Sequence, residues 1–141
     1  MGKILCATRG GEASYRTQDA VIALAQEQSD ALVFLYVVDT TFINKTERAV
    51  RPDVVATEIE HLGEFLLAMA CERAENQGVE AIPCVKHGEF AAALKEAAVE
   101  NEVSLVAFGR PVGEQSRFQL ADLQQLAEEI AKETGIETRI I

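Results

Sequence analysis

Lys3-Ile4-Leu5-Cys6-Ala7-Thr8-Arg9-Gly10-Gly11-Glu12-Ala13-Ser14 decides the architecture of this chain. An apolar run of strand character meets a glycine pair and then a helix start, which is how an open α/β sheet begins. Such sheets gather their ligands at the carboxyl ends of the central strands. Arg9 stands at that position, where a nucleotide site of this layout would often want an acid or a small residue. The layout points to nucleotide-binding ancestry, and the side chain at the key place argues against a bound nucleotide.

Outward from that turn, strand and helix alternate to the end of the chain. Ile4 to Thr8 is predicted as the first strand. Ala13 to Gln28 follows as a helix with Thr17, Val21, Leu24 and Ala25 on one face. Leu32 to Val38 is continuously apolar, as suits a parallel strand covered on both faces. The next helix starts at Pro52-Asp53 and stops at Gly78, and its predicted core face is Val55, Ile59, Leu62, Leu66 and Met69. Val79 to Val85 is the third strand. Its Pro83 cannot donate to a ladder, which assigns it to a sheet edge or a bulge. Phe90, Leu94, Ala97 and Ala98 mark a short helix, and Val103 to Phe108 a central strand. Leu120, Leu123, Leu126, Ala127 and Ile130 build the last helix, which Gly135 ends. Ile136 to Ile141 interleaves Glu137 and Arg139 with apolar residues, the pattern of an edge strand.

Five strands and four helices joined by right-handed crossovers imply a three-layer α/β/α sandwich with a five-stranded parallel sheet. Three fully apolar strands and two edge-like ones fit the order 3-2-1-4-5. The topological switch then lies between strands one and four. Its crevice would be lined by Thr8-Arg9-Gly10 and by Gly109-Arg110-Pro111-Val112-Gly113.

The chain has 141 residues, 48% of them hydrophobic, a size that suits one domain (1–141) with a single core. Its three cysteines, Cys6, Cys71 and Cys84, form no CxxC pair. They read as buried small hydrophobes in a reducing, cytosolic compartment. Nothing basic adjoins Cys6 or Cys71, so a redox role through Cys6 would require a thiol that titrates well below its usual value. Lys3 precedes only a short apolar run, so no secretory signal is expected, and no stretch approaches membrane-spanning length. A net charge of −10 disfavours nucleic acid and anionic membrane as general partners.

At this level of detail the chain resembles the universal stress protein family. Residues 4–14 are similar to that family's opening strand and turn, I-L-V-A-T/V-D-G-S-E-x-S. Tyr36-Val37-Val38-Asp39 resembles the end of its second strand, and Val85-Lys86-His87-Gly88-Glu89 its V-x-x-G-D/E step. Ser104 to Gly109 resembles its D-L-I-V-M-G segment, and Ala127-Glu128-Glu129-Ile130 its A-E-K-V. The resemblance implies the adenine-nucleotide hydrolase-like fold and a homodimer in which Ile136 to Ile141 pairs antiparallel with its symmetry mate. An exposed, isoleucine-rich terminal edge favours the same dimer independently. It also implies a crevice formed by Thr8, Arg9, Gly10, Val38, Gly109, Arg110 and Gly113.

Members that bind ATP carry an aspartate at the end of strand one, and after strand four a G-x-x-G followed by G-S or G-T. Here Arg9 occupies the aspartate position. Three residues separate Gly109 from Gly113 instead of two, and Gln124-Gln125 falls where the last glycine and hydroxyl belong. A carboxylate accepts hydrogen bonds from ribose hydroxyls or an adenine amino group, whereas a guanidinium has no acceptor. Losing one charge-assisted bond costs roughly 1.5–3 kcal/mol, ten- to a hundred-fold in affinity. Phosphate cradles need exposed backbone N–H groups, which glycine supplies.

The remaining residues leave alternatives. Arg9 and Arg110 could hold a small anion or phosphate between them, or Arg9 could pair with Glu12 or Asp39 and plug the crevice. The long connection from Asp39 to Pro52 carries Lys45, Arg48 and Arg51. It could be a lid, a docking surface, or a solvated loop with a helical turn from Phe42 to Glu47. His61 and His87 lack further ligands at metal spacing, and Ser14 suits a first helical turn better than a nucleophile. No GxSxG, HExxH or Walker A pattern occurs, so no catalytic residue and no metal is assigned. The expectation is a cytosolic, non-catalytic, homodimeric stress-response or regulatory module with a degenerate nucleotide site and no expected cofactor. The alternative is a nucleotide or phosphate binder, either a sensor of AMP, ADP or ATP or a weak ATPase.

Overall fold

The computed structural model describes residues 2–8, 12–38, 52–109 and 120–141, with the side chains of 12, 13 and 52–56 excepted. The elements are β1 (Lys3–Ala7), α1 (Glu12–Gln28), β2 (Ala31–Val38), α2 (Pro52–Asn76), β3 (Ala81–His87), α3 (Phe90–Glu100), β4 (Leu105–Phe108), α4 (Leu120–Thr134) and β5 (Glu137–Ile140). The strands form one parallel sheet in the order β3-β2-β1-β4-β5, as the hydrophobic runs predict. Pro83 lies on β3, at a sheet edge, where its missing N–H costs no ladder bond.

Alternation along the central strands splits the core in two. Ile4, Cys6, Leu32 and Phe34 face α1 and α2, packing with Val21, Ala25, Leu67, Ala70 and Ala74. Leu5, Val33, Leu35 and Val106 face the other way, onto Leu94, Ala97, Leu126 and Ile130. Burial on both faces is why these strands read as unbroken apolar runs.

Each of the four described helices ends through a left-handed residue: Ser29 (φ 56°), Gly78 (φ 78°), Glu102 (φ 53°) and Gly135 (φ 73°). After the first three, the next N–H reaches back five residues, from Asp30 to Ala25, from Val79 to Ala74 and from Val103 to Ala98. This closure satisfies a carbonyl that the helix end leaves open. It also moves two strand boundaries. Val79 and Val103, predicted as the first residues of strands three and four, are instead the apolar plugs of helix termini, both buried. Strand pairing starts at Ala81 and Leu105. At its far end β3 runs on to Lys86 and His87, paired with Val37 and Val38.

The predicted core face of α2 is corrected by the structure. Leu62 is 53% exposed and Phe65 beside it 62%, while Ile59, Leu66 and Met69 are only partly buried. The side chain of Val55 lies outside the description. The face that meets the sheet is Gly63, Leu67, Ala70, Cys71 and Ala74. Close approach is the reason. A Cβ at residue 63 would lie 2.6 Å from Cε1 and 2.8 Å from Cγ of the Tyr36 ring. A stripe of large side chains would hold the helix off that contact, so the small stripe wins.

Candidate functional site

The switch between β1 and β4 sits where the alternation places it. Ile4, Leu5 and Cys6 pair with Leu105, Val106 and Ala107, so continuing the register sets Thr8 beside Gly109 at the carboxyl end of both strands. Val38 closes β2 nearby. Its side chain is fully buried and its carbonyl accepts the Gly88 N–H at 3.0 Å. Thr8, Val38 and Gly109 are thus gathered at one end of the sheet. Arg9, Gly10, Arg110 and Gly113 lie outside the described residues, as does the connection 39–51.

Two residues of α1 that the sequence argument did not assign to the site complete this floor. Gln18 is 2% exposed and Thr8 3%. Gln18 Nε2 donates to Thr8 Oγ1 at 2.9 Å, and Thr8 N–H donates to the Leu35 carbonyl at 2.8 Å. The hydroxyl at the end of β1 is therefore held by the chain itself. Gln18 Oε1 is buried without a hydrogen-bond partner among the described residues. The signal was present in the sequence: Gln18 stands three and seven residues before Val21 and Ala25, a polar side chain on a buried stripe.

Gly109 has a packing reason to be glycine. A Cβ there would collide with Thr17 Oγ1 and come within 3.2 Å of Thr17 Cβ and Cγ2. Helix α1 crosses so near the end of β4 that only a hydrogen fits. This requirement is independent of any phosphate.

Among the described residues, no cysteine thiol near the sheet is activated as a nucleophile. Burial pushes the Cys6 thiol up to about 12. Cys71 is raised by burial and then by Glu75, and Cys84 is raised by burial against the opposing pull of Lys86. A redox role through Cys6 needs the reverse shift, so that alternative is corrected: a fully buried thiol at the centre of the sheet holds its proton. His87 Nε2 lies 3.0 Å from Glu60 Oε1, tying β3 to α2, and His61 is exposed on α2. Among the described residues no three His, Cys, Asp or Glu side chains gather as a metal set. A hollow of about 380 Å³ between α1 and α2 is lined by Arg73 and Asp19, which pair with one another.

The fold is shared with solved structures of low identity. One is a protein of the universal stress protein family from Burkholderia pseudomallei: 22% identity, TM-score 0.75, covering 99% of this chain and 95% of that one. A second is a universal stress protein in complex with cAMP: 17% identity, TM-score 0.66, covering 99% and 95%. A third is the universal stress protein from Archaeoglobus fulgidus in complex with dAMP: 10% identity, TM-score 0.64, covering 100% and 97%. A search of curated protein sequences finds no match. No helix among the described residues is long and apolar enough to cross a membrane. The family model of the universal stress proteins matches residues 1–132, and with the sheet order and switch point above, the chain belongs to the universal stress protein family.

Proposed function

We propose that this chain is a non-catalytic regulatory module of the stress-response type, acting in the cytosol as a homodimer, with a crevice that no longer holds ATP in its relatives' manner. What carries this reading is the floor of the crevice. Thr8 is bonded to Gln18, and Gly109 is packed against Thr17. The hydroxyl at the end of β1 thus already accepts a bond from within the chain, and the glycine at 109 answers a packing need. Arg9, in the aspartate position of the binding members, adds a donor where the sugar requires an acceptor.

The dimer reading is supported by β5, whose outer edge has no strand beside it among the described residues. Ile141 N–H donates inward to the Phe108 carbonyl at 2.7 Å. Alternation along a strand then turns the Ile140 N–H outward, available to a second copy. Ile140→Pro removes that outward donor and spares the ladder to β4. Sedimentation is expected to show a monomer or an aggregate, and an unchanged dimer refutes this interface.

A second reading has its own support, since two proteins of the same fold are described in complex with cAMP and dAMP. In it Arg9 and Arg110 hold a phosphate of a nucleotide whose sugar is recognised in another way. Heat-denatured, clarified protein separates the two. The first reading expects no release of material absorbing at 260 nm and no heat on titration with MgATP, AMP or ADP. Stoichiometric binding that Arg9→Ala abolishes establishes the second.

A further inference from the structure

The apolar stripe that α2 does not use against the sheet has the spacing of a helix-pairing seam. Ile59, Leu62, Leu66 and Met69 repeat at intervals of three, four and three residues, the a/d pattern of coiled-coil faces. Leu62 is 53% exposed, and the other three are only partly buried. The seam is about 15 Å long at 1.5 Å per residue. It stops at Arg73, which pairs with Asp19 and lies over the Tyr15 ring, with 4.8 Å to the centroid, so α1 closes that end.

The two flanks of the seam are unequal. One flank contains Gly63 and Ala70, both buried against the sheet. The other is the row Glu58, Phe65, Glu72, spaced by seven residues and all exposed. Neither glutamate forms an ion pair with another described residue. This asymmetry selects the occupant. A second copy packed antiparallel would set the acidic row against itself, and one packed parallel would need the flank that the sheet covers. A net charge of −10 adds to the repulsion between copies.

We infer that this face of α2 docks a basic amphipathic helix of another protein, with apolar anchors on Leu62, Phe65 and Leu66 and Lys or Arg opposite Glu58 and Glu72. Phe65 is the natural anchor, a large ring held between two acids on a rigid helix. The site is independent of the crevice and of the β5 edge.

The test uses a fluorescein-labelled synthetic helix of about 21 residues, long enough to fold, with leucines at alternating three- and four-residue spacing and lysines on both flanks. Fluorescence anisotropy against the full chain is expected to show saturable binding that weakens as salt rises. Leu62→Glu is expected to weaken it at least tenfold, whereas Val99→Glu, at an exposed apolar position on α3, leaves it unchanged. The pair Glu58→Lys with Glu72→Lys touches only exposed side chains, keeps the fold, and is expected to transfer preference to the same peptide with glutamate flanks. Equal binding by wild type and Leu62→Glu, or equal binding of the two peptides, overturns the inference. So does a wild-type oligomer that Leu62→Glu dissociates, because the occupant is then a second copy.

Discussion

Replacing Thr8 by valine and Gln18 by leucine, singly and together, tests whether the floor of the crevice is a closed internal contact. Both side chains are nearly fully buried, and one bond of 2.9 Å joins them. Thr8→Val removes the acceptor and leaves the whole Gln18 amide unpaired, since its Oε1 already has no partner among the described residues. A buried polar group without a partner costs about 1–3 kcal/mol, so this variant is expected to lose ~2 kcal/mol. Gln18→Leu deletes the orphaned oxygen, a gain of about 1–3 kcal/mol, and strands the Thr8 hydroxyl, a loss of similar size. Its net effect is expected within ~1 kcal/mol of zero. The double variant leaves no polar atom behind and is expected to equal or exceed wild-type stability by ~1 kcal/mol. Urea unfolding of all four proteins yields the coupling energy, expected above ~1 kcal/mol. Effects that add to within ~0.5 kcal/mol mean that the two residues do not act as a buried pair. In that case the end of β1 is not closed by an internal contact.

Gly63→Ala gains about 1 kcal/mol of helix propensity but forces the Tyr36 ring aside at about 1–3 kcal/mol, for a net loss near 1 kcal/mol and a Tm lower by ~3–4 °C. A rise in Tm shows that α2 does not approach Tyr36 so closely. Glu102, at φ 53°, carries a Cβ in left-handed backbone, so Glu102→Gly is expected to stabilise by ~0.5–1 kcal/mol in calorimetry. No change there means that this terminus is not held in the left-handed form. Cys6 binds its proton more tightly folded than unfolded, rising from 9.0 to about 12. Its contribution is therefore complete below pH 9 and is lost as pH rises through that window, by about 1.4 kcal/mol per pH unit. Denaturant midpoints from pH 8 to 11 should fall, and fall less steeply in Cys6→Ala; identical slopes refute the assignment. At neutral pH, maleimide should label Cys84 before Cys6, as their exposures differ.

The alternation of apolar runs with helix-period segments determined the parallel sheet, its strand order, and the place of Pro83 at an edge. These are properties of single elements, and a residue pattern displays them without knowledge of any neighbour. The same pattern brought Thr8 and Gly109 to one switch point, because the ends of central strands must lie together. What the pattern left open concerns distances between elements. Helix α2 carries two apolar stripes, and spacing alone favours the one with larger side chains. Only the approach of Gly63 to Tyr36 turned the stripe of glycine and alanine inward and left Leu62 and Phe65 outside. Gln18 on α1 meets Thr8 at the end of β1, and Thr17 demands a glycine at 109 from across the sheet end. Hydrophobicity tells which residues avoid water, but close packing decides which of them touch, and that decision needs the third dimension.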